Sequence, residues 1–348
     1  SGVWIMAYTT IDNGEEHFNT VTYTGTGSSR SITGLEFGPD WVWIKRRNGA
    51  YSHYLYDSTR GTGKQLYAEK TDAEATDNTE VTAFNSDGFS LGSGSGTNEN
   101  TNTQVAWCWK ANGGTTSTNN DGSTASTVQA NTTAGFSIVT FSRSAGGTIT
   151  VGHGLGKKPD WIIVKSRETS NNWVVTHKSL GTEMQDYYLI LNGTDASSNS
   201  NDIFGGEPTS SVFSTTNNVA SNDNQVAYCF TEIKGYSKFG SYIGNGSSNG
   251  TFVYTGFKPA FFLIKSIDGA KNWHIIDNKR NTVNPVNLYL NPNNTDADGT
   301  FVFGDFVSNG FKIRGDGNTF NNNDENYIYM AFAEHPFVSS KGVPVTAR

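Results

Sequence analysis

Pro159-Asp160-Trp161-Ile162-Ile163-Val164-Lys165 reads as a β-strand covered on both faces, because an uninterrupted apolar run follows a proline, which such a strand tolerates at its first position. The phrase returns as Pro39-Asp40-Trp41-Val42-Trp43-Ile44-Lys45 and as Pro259-Ala260-Phe261-Phe262-Leu263-Ile264-Lys265, with the prolines 120 and 100 residues apart. Its surroundings return as well. His53-Tyr54-Leu55-Tyr56-Asp57, Trp173-Val174-Val175-Thr176-His177 and Trp273-His274-Ile275-Ile276-Asp277 each begin fourteen residues past the proline. Thr71-Asp72-Ala73, Thr194-Asp195-Ala196 and Thr295-Asp296-Ala297 mark a later turn, and each copy closes on an aromatic strand containing Trp107, Tyr228 or Tyr329. A unit of about 100 residues is the size of a small domain, so the chain reads as three modules with their own cores.

The 348 residues include 39 Gly but only 8 Pro, and Asn, Ser and Thr dominate the polar positions, which favours short strands joined by many turns. The expected fold is all-β: three tandem homologous antiparallel β-sandwiches, immunoglobulin-like or jelly-roll-like in outline. A short helix is expected only near Thr71 to Thr79, where Thr71 precedes Asp72, Ala73, Glu74 and Ala75. An extension (1–17) precedes the first module (18–112), and a Gly/Ser/Thr/Asn stretch (113–133) without core-forming residues reads as a linker. The second and third modules follow at 134–236 and 237–338, with a tail at 339–348. Modules two and three, joined without a linker, are expected to dock more rigidly than one and two.

With 25 basic and 32 acidic residues the net charge is −7, and no basic run occurs, which argues against a nucleic-acid partner. No apolar stretch approaches the ~20 residues that span a bilayer. The start at Ser1, without Met or a charged leader, is read as a removed leader or a mature end, and low Lys with high Asn, Thr and Gly suits an extracellular, cell-surface or virion-surface protein. Cys108 and Cys229 fall on matching strands of different copies and are read as buried free thiols.

Trp41, Trp43, Trp161, Ile163, Phe261 and Leu263 are the expected core positions of the repeated strand, and the aromatic residues are assigned to cores before sugar-stacking platforms. Lys45, Lys165 and Lys265 recur at its end, where a lysine stem covers the core; a catalytic lysine would occupy one special pocket. Asn294, Asp296, Asp298 and Asp305 have the spacing of a partial calcium loop, but no helix flanks them and the turn recurs elsewhere without the ligand set. No metal and no cofactor are therefore expected. The six His lack metal-ligand spacing and no Gly-x-Ser-x-Gly elbow occurs, so no enzymatic activity is expected either.

Asp57-Ser58-Thr59-Arg60-Gly61, Asn85-Ser86-Asp87-Gly88-Phe89-Ser90-Leu91-Gly92, Val105-Ala106-Trp107-Cys108-Trp109-Lys110 and Val226-Ala227-Tyr228-Cys229-Phe230 resemble an uncharacterised repeat domain. Its members are environmental phage tail-associated proteins and surface proteins of aquatic bacteria, and the likeness covers most of residues 18–338. The resemblance implies an extracellular or virion-associated structural role and carries no catalytic residues. The resulting expectation is a structural subunit of an extracellular filament, pilus-like fibre or phage appendage whose partners are copies of itself. The competing expectation is a phage receptor-binding or carbohydrate-binding protein, with cell-surface glycans as partners.

The extension supplies the assembly hypothesis. Val3, Ile5 and Ala7 lie on one face of a potential strand and Trp4, Met6 and Tyr8 on the other, followed by a polar hinge. An exposed apolar strand must pair, either by folding back on its own chain or by entering an open sheet of another subunit, and donation to a neighbour is the sharper expectation.

Overall fold

The computed structural model describes residues 9–144, 146–220 and 222–334. The candidate donor strand, Val3, Trp4, Ile5, Met6, Ala7 and Tyr8, and the 339–348 tail lie outside the described residues. The chain is all-β and its strand pairs are antiparallel. The first copy forms β1 (Phe18–Thr24), β2 (Arg30–Thr33), β3 (Trp41–Arg46), β4 (His53–Asp57), β5 (Lys64–Tyr67), β6 (Ala75–Thr76), β7 (Val81–Asn85), β8 (Gly88–Leu91) and β9 (Thr103–Trp109). From the second come β10 (Ser117–Asn119), β11 (Ser126–Asn131), β12 (Phe136–Arg143), β13 (Ile149–Gly152), β14 (Trp161–Ser166), β15 (Val174–His177), β16 (Tyr187–Ile190), β17 (Ser198–Asn199), β18 (Val212–Thr215) and β19 (Asp223–Phe230). The third supplies β20 (Ser237–Ile243), β21 (Phe252–Tyr254), β22 (Pro259–Ser266), β23 (His274–Asp277), β24 (Val286–Tyr289), β25 (Gly299–Val307), β26 (Gly310–Ile313) and β27 (Asn326–Ala333).

One strand order occurs three times: β1-β9-β3-β4, β12-β19-β14-β15 and β20-β27-β22-β23. Beside each of these sheets lies a second one, smaller in copies one and two and equal in strand number in copy three: β2-β8-β7, β13-β18 or β21-β26-β25-β24. The proline-led strands β3, β14 and β22 sit between two partners, which explains why their sequences carry apolar residues on both faces. Val42 and Ile44, Ile162 and Val164, and Phe262 and Ile264 face the core under the second sheet of their own copy.

The opposite face departs from the expectation of separate cores. Trp41, Trp43, Trp161, Ile163, Phe261 and Leu263 all enter one common cluster to which the three copies contribute. The Trp41 ring stacks on Tyr228 at 4.3 Å, Trp109 meets Phe261 edge-on at 5.5 Å, and Phe230 lies 6.1 Å from Phe332, so the cluster closes in a ring. Ile11 joins the same cluster. Truncating Trp43 or Leu263 to Ala is expected to cost roughly 2–5 kcal/mol through lost burial and residual cavity. Chemical denaturation of the full chain checks this; an unmoved midpoint would show that these positions are not packed as described.

Three further expectations are corrected. Residues 113–133 are not a free linker: β11 adds to β12 with Val128 opposite Val139, β10 adds to β11, and Thr124 bridges Val151 of the smaller sheet. An edge strand needs only backbone pairing and a few inward side chains, here Val128, so a polar composition does not exclude it. Copies one and two are not joined by a loose tether either, since the buried Gln129 amide donates to the hydroxyls of Ser58 and Thr59. Thr71 to Thr79 is extended rather than helical, because the Glu74 N–H donates to Arg167 O at 2.8 Å and so belongs to the contact with the next copy. The described residues form one four-residue α-helix, Ser95–Asn98.

Candidate functional site

The repeated sequence signals meet one another at the contacts between copies. Lys165 Nζ donates to Thr71 O and Lys265 Nζ to Thr194 O, both at 3.1 Å, so the strand-end lysine of one copy is seated on the Thr-Asp-Ala turn of the preceding one. Copy one meets copy three differently: the Tyr51 N–H donates to Thr295 O at 2.8 Å, while Lys45 Nζ donates to Arg46 O at 2.7 Å within its own copy. All three ammonium groups are buried, which lowers Lys45, Lys165 and Lys265 to about 8. Carbonyl oxygens accept from all three ammonium groups. Lys165 and Lys265 act as clasps between copies.

Buried ion networks complete two of the three contacts. Between copies one and two, Asp57 binds Arg60, Arg60 reaches Glu74, Glu74 also binds Arg167, and the Tyr228 hydroxyl donates to Asp57 at 2.7 Å. Burial pushes the Glu74 carboxyl up, but the Arg167 hydrogen bond and the Arg60 charge outweigh it and hold it below the usual carboxylate range. Between copies three and one the same positions hold Asp277, Arg280, Asp298, Arg47 and the Trp107 indole, which donates to Asp277 at 3.0 Å. Between copies two and three they hold His177, Leu180, Ser197, Ile267 and Met330, and no ion network. At these positions the contact is mainly apolar, with Ser197 donating to Ile267 O, and Lys238 pairs with Glu232 across the same two copies.

These networks dissolve the calcium candidate. Asp298 gives one carboxylate oxygen to Arg47 and the other to Arg280, each at 2.8 Å, while Asp305 pairs with Arg314 and Asp296 accepts from Asn294. Among the described residues no group of three or more His, Cys, Asp or Glu is placed to hold a metal ion. Asp298→Asn is therefore expected to lower the melting temperature by the same amount with and without a chelator, through loss of the carboxylate charge that pairs with two arginines. A chelator that destabilises the parent chain but not the variant would restore the calcium reading.

The surface carries one feature that sequence reasoning missed. Phe252 and Tyr254 on β21 are 46% and 59% exposed, next to Ile243 at 56% on β20. The register places Val253 opposite Phe311, Val151 opposite Phe213 and Ile32 opposite Phe89, so the positions equivalent to Phe252 and Tyr254 are Thr150 and Gly152 in copy two and Ser31 and Thr33 in copy one. That departure from small or polar residues was the available signal. Cys108 and Cys229 are free, buried and in separate clusters.

The described residues thus define a closed all-β assembly whose buried polar groups serve the contacts between its parts. The chain belongs to the family described as a domain of unknown function (DUF7483), which matches residues 13–336. No curated protein and no solved structure matches it. No helix among the described residues is long and apolar enough to cross a membrane.

Proposed function

We propose that the chain is a structural subunit of an extracellular filament, pilus-like fibre or phage appendage, built from three homologous sandwich modules and assembled by donation of residues 1–8 to a neighbouring copy. The observation that carries this reading is β11. It shows that a segment preceding a copy adds antiparallel to the edge of that copy's larger sheet. The corresponding edges at β1 and β20 have no further strand beside them among the described residues. An unpaired edge is a template for another chain, and a head-to-tail strand exchange propagates without closing. The extracellular and phage-associated setting rests on the family resemblance and the composition.

Deleting residues 1–10 is expected to give protomers with an unchanged fold that no longer form filaments in negative-stain micrographs, and a synthetic 1–10 peptide is expected to cap the intact chain. Filaments that persist after the deletion would eliminate strand donation. A second reading, receptor or carbohydrate binding, draws support from exposed Phe252 and Tyr254, since aromatic faces stack on apolar sugar faces.

A further inference from the structure

We infer that the acceptor is the open side of the third copy, between β20 and β21, and that its occupant is residues 1–8 of a second copy running antiparallel to β20; this rests on the strand-donation reading above. The three copies present the same edge in three different states. In copy two it is sealed by the chain itself. β11 pairs with β12, the Ser126 hydroxyl donates to Gly152 O at 2.8 Å, and Val128 enters the core with Phe141 and Phe213. The sealing segment lies so close to β13 that a Cβ on Gly152 would fall 1.7 Å from the Asn119 side-chain oxygen.

In copy one the edge is blunted. Arg30 lies over the Tyr23 ring and donates to Thr24 O at 2.8 Å at the end of β1, and the neighbouring β2 positions are the polar Ser31 and Thr33. A charged side chain at an edge is a standard guard against strand addition. In copy three neither device is present among the described residues. The positions beside the open edge are Ile243, Phe252 and Tyr254, whose apolar surface faces solvent. Phe239 pairs with Met330 as Ile138 does with Tyr228, so β20 occupies the place of β12 and a strand beside it would occupy the place of β11.

The segment fits that place in length and character. Eight residues match the seven of β20, and its apolar side chains suit an aromatic rim, as the polar Asn119 and Ser123 suit Thr150 and Gly152 in copy two. Thr9, the first described residue, lines a cavity of about 480 Å³ with Glu232, Ile233 and Lys234, directly ahead of β20. The described part of the chain therefore begins beside the residues that lead into β20.

Cysteine cross-linking in the full chain tests this. Ser241→Cys on β20 is combined in turn with Val3→Cys, Ile5→Cys and Ala7→Cys, and Thr22→Cys on β1 replaces Ser241→Cys in a parallel series. Oxidation is expected to give a reducible ladder of multimers in the Ser241 series and at least tenfold less in the Thr22 series. Phe252→Lys with Tyr254→Lys is expected to suppress the ladder at unchanged melting temperature. A ladder confined to the Thr22 series overturns the acceptor while leaving strand donation standing. A link within single chains overturns the second-copy occupant, and a ladder indifferent to the two lysines, with loss of oligosaccharide binding instead, assigns the aromatic face to glycans and overturns its part here. No link in either series, together with filaments that survive deletion of residues 1–10, removes both readings.

Discussion

Acidification is expected to unfold this protein before pH 4, with stability falling by up to about 5 kcal/mol per pH unit between pH 6 and pH 4.5. Burial holds His153 at about 4, His177 at about 3 and His274 at about 4, and pushes His53 well below its ordinary value. Hydrogen bonding demands the neutral form as well. His53 Nδ1 accepts from the Trp43 indole at 2.9 Å, His177 Nδ1 from the Ser179 N–H at 2.9 Å and His153 Nδ1 from the Leu155 N–H at 3.2 Å. The folded pKa values lie below the unfolded value of about 6.5, so in this window the unfolded chain binds protons that the folded chain refuses, and stability is lost as pH falls. Each such group contributes about 1.4 kcal/mol per pH unit, and four together exhaust a typical stability of 5–15 kcal/mol. Urea denaturation at pH 7, 6, 5 and 4.5 measures the slope. A stability that stays level from pH 6.5 to 4.5 would show that these imidazoles are not buried as described.

The ion network between copies three and one gives the second large effect. Arg280→Ala is expected to cost about 3–5 kcal/mol, because it leaves the Asp277 and Asp298 carboxylates without a guanidinium that is fully buried against both. The chain itself contains the control. Between copies two and three the same positions carry His177, Leu180, Ser197 and Ile267. Combining Arg280→Leu with Asp277→His, Asp298→Ser and Arg47→Ile transplants that apolar set and is expected to recover most of the loss, since a buried ion pair replaced as a whole costs little. Equal destabilisation of the single and fourfold variants, read by denaturant midpoint, would show that the contact depends on charge itself.

The sequence made the repeated strand, the β-class and the buried tryptophans legible, because an apolar run with a fixed escort of turns carries that information locally. It left the common core hidden. Trp41 and Trp107 announce that a second face is covered, and nothing in a single copy says that the cover is Tyr228 and Phe261 of the other two. Residues 113–133 were misread because edge pairing is a backbone property to which Ser, Thr and Asn are nearly indifferent. The Asp298 loop was ambiguous for a related reason: the same carboxylates serve a calcium ion or an arginine pair, and only the approach of Arg47 from another copy decides between them.

On the strand-donation proposal, the unequal treatment of the three edges would govern valence. Three identical chains in a ring would present three identical edges, and a particle with three adhesive sites and three donors forms branched networks. A single chain that carries all three copies can close the edge at β12 with its own β11, guard the edge at β1 with Arg30, and leave the edge at β20 apolar. One donor and one receptive edge per molecule is the condition for linear growth, so covalent fusion of the copies makes an unbranched thread attainable from parts that would otherwise gel.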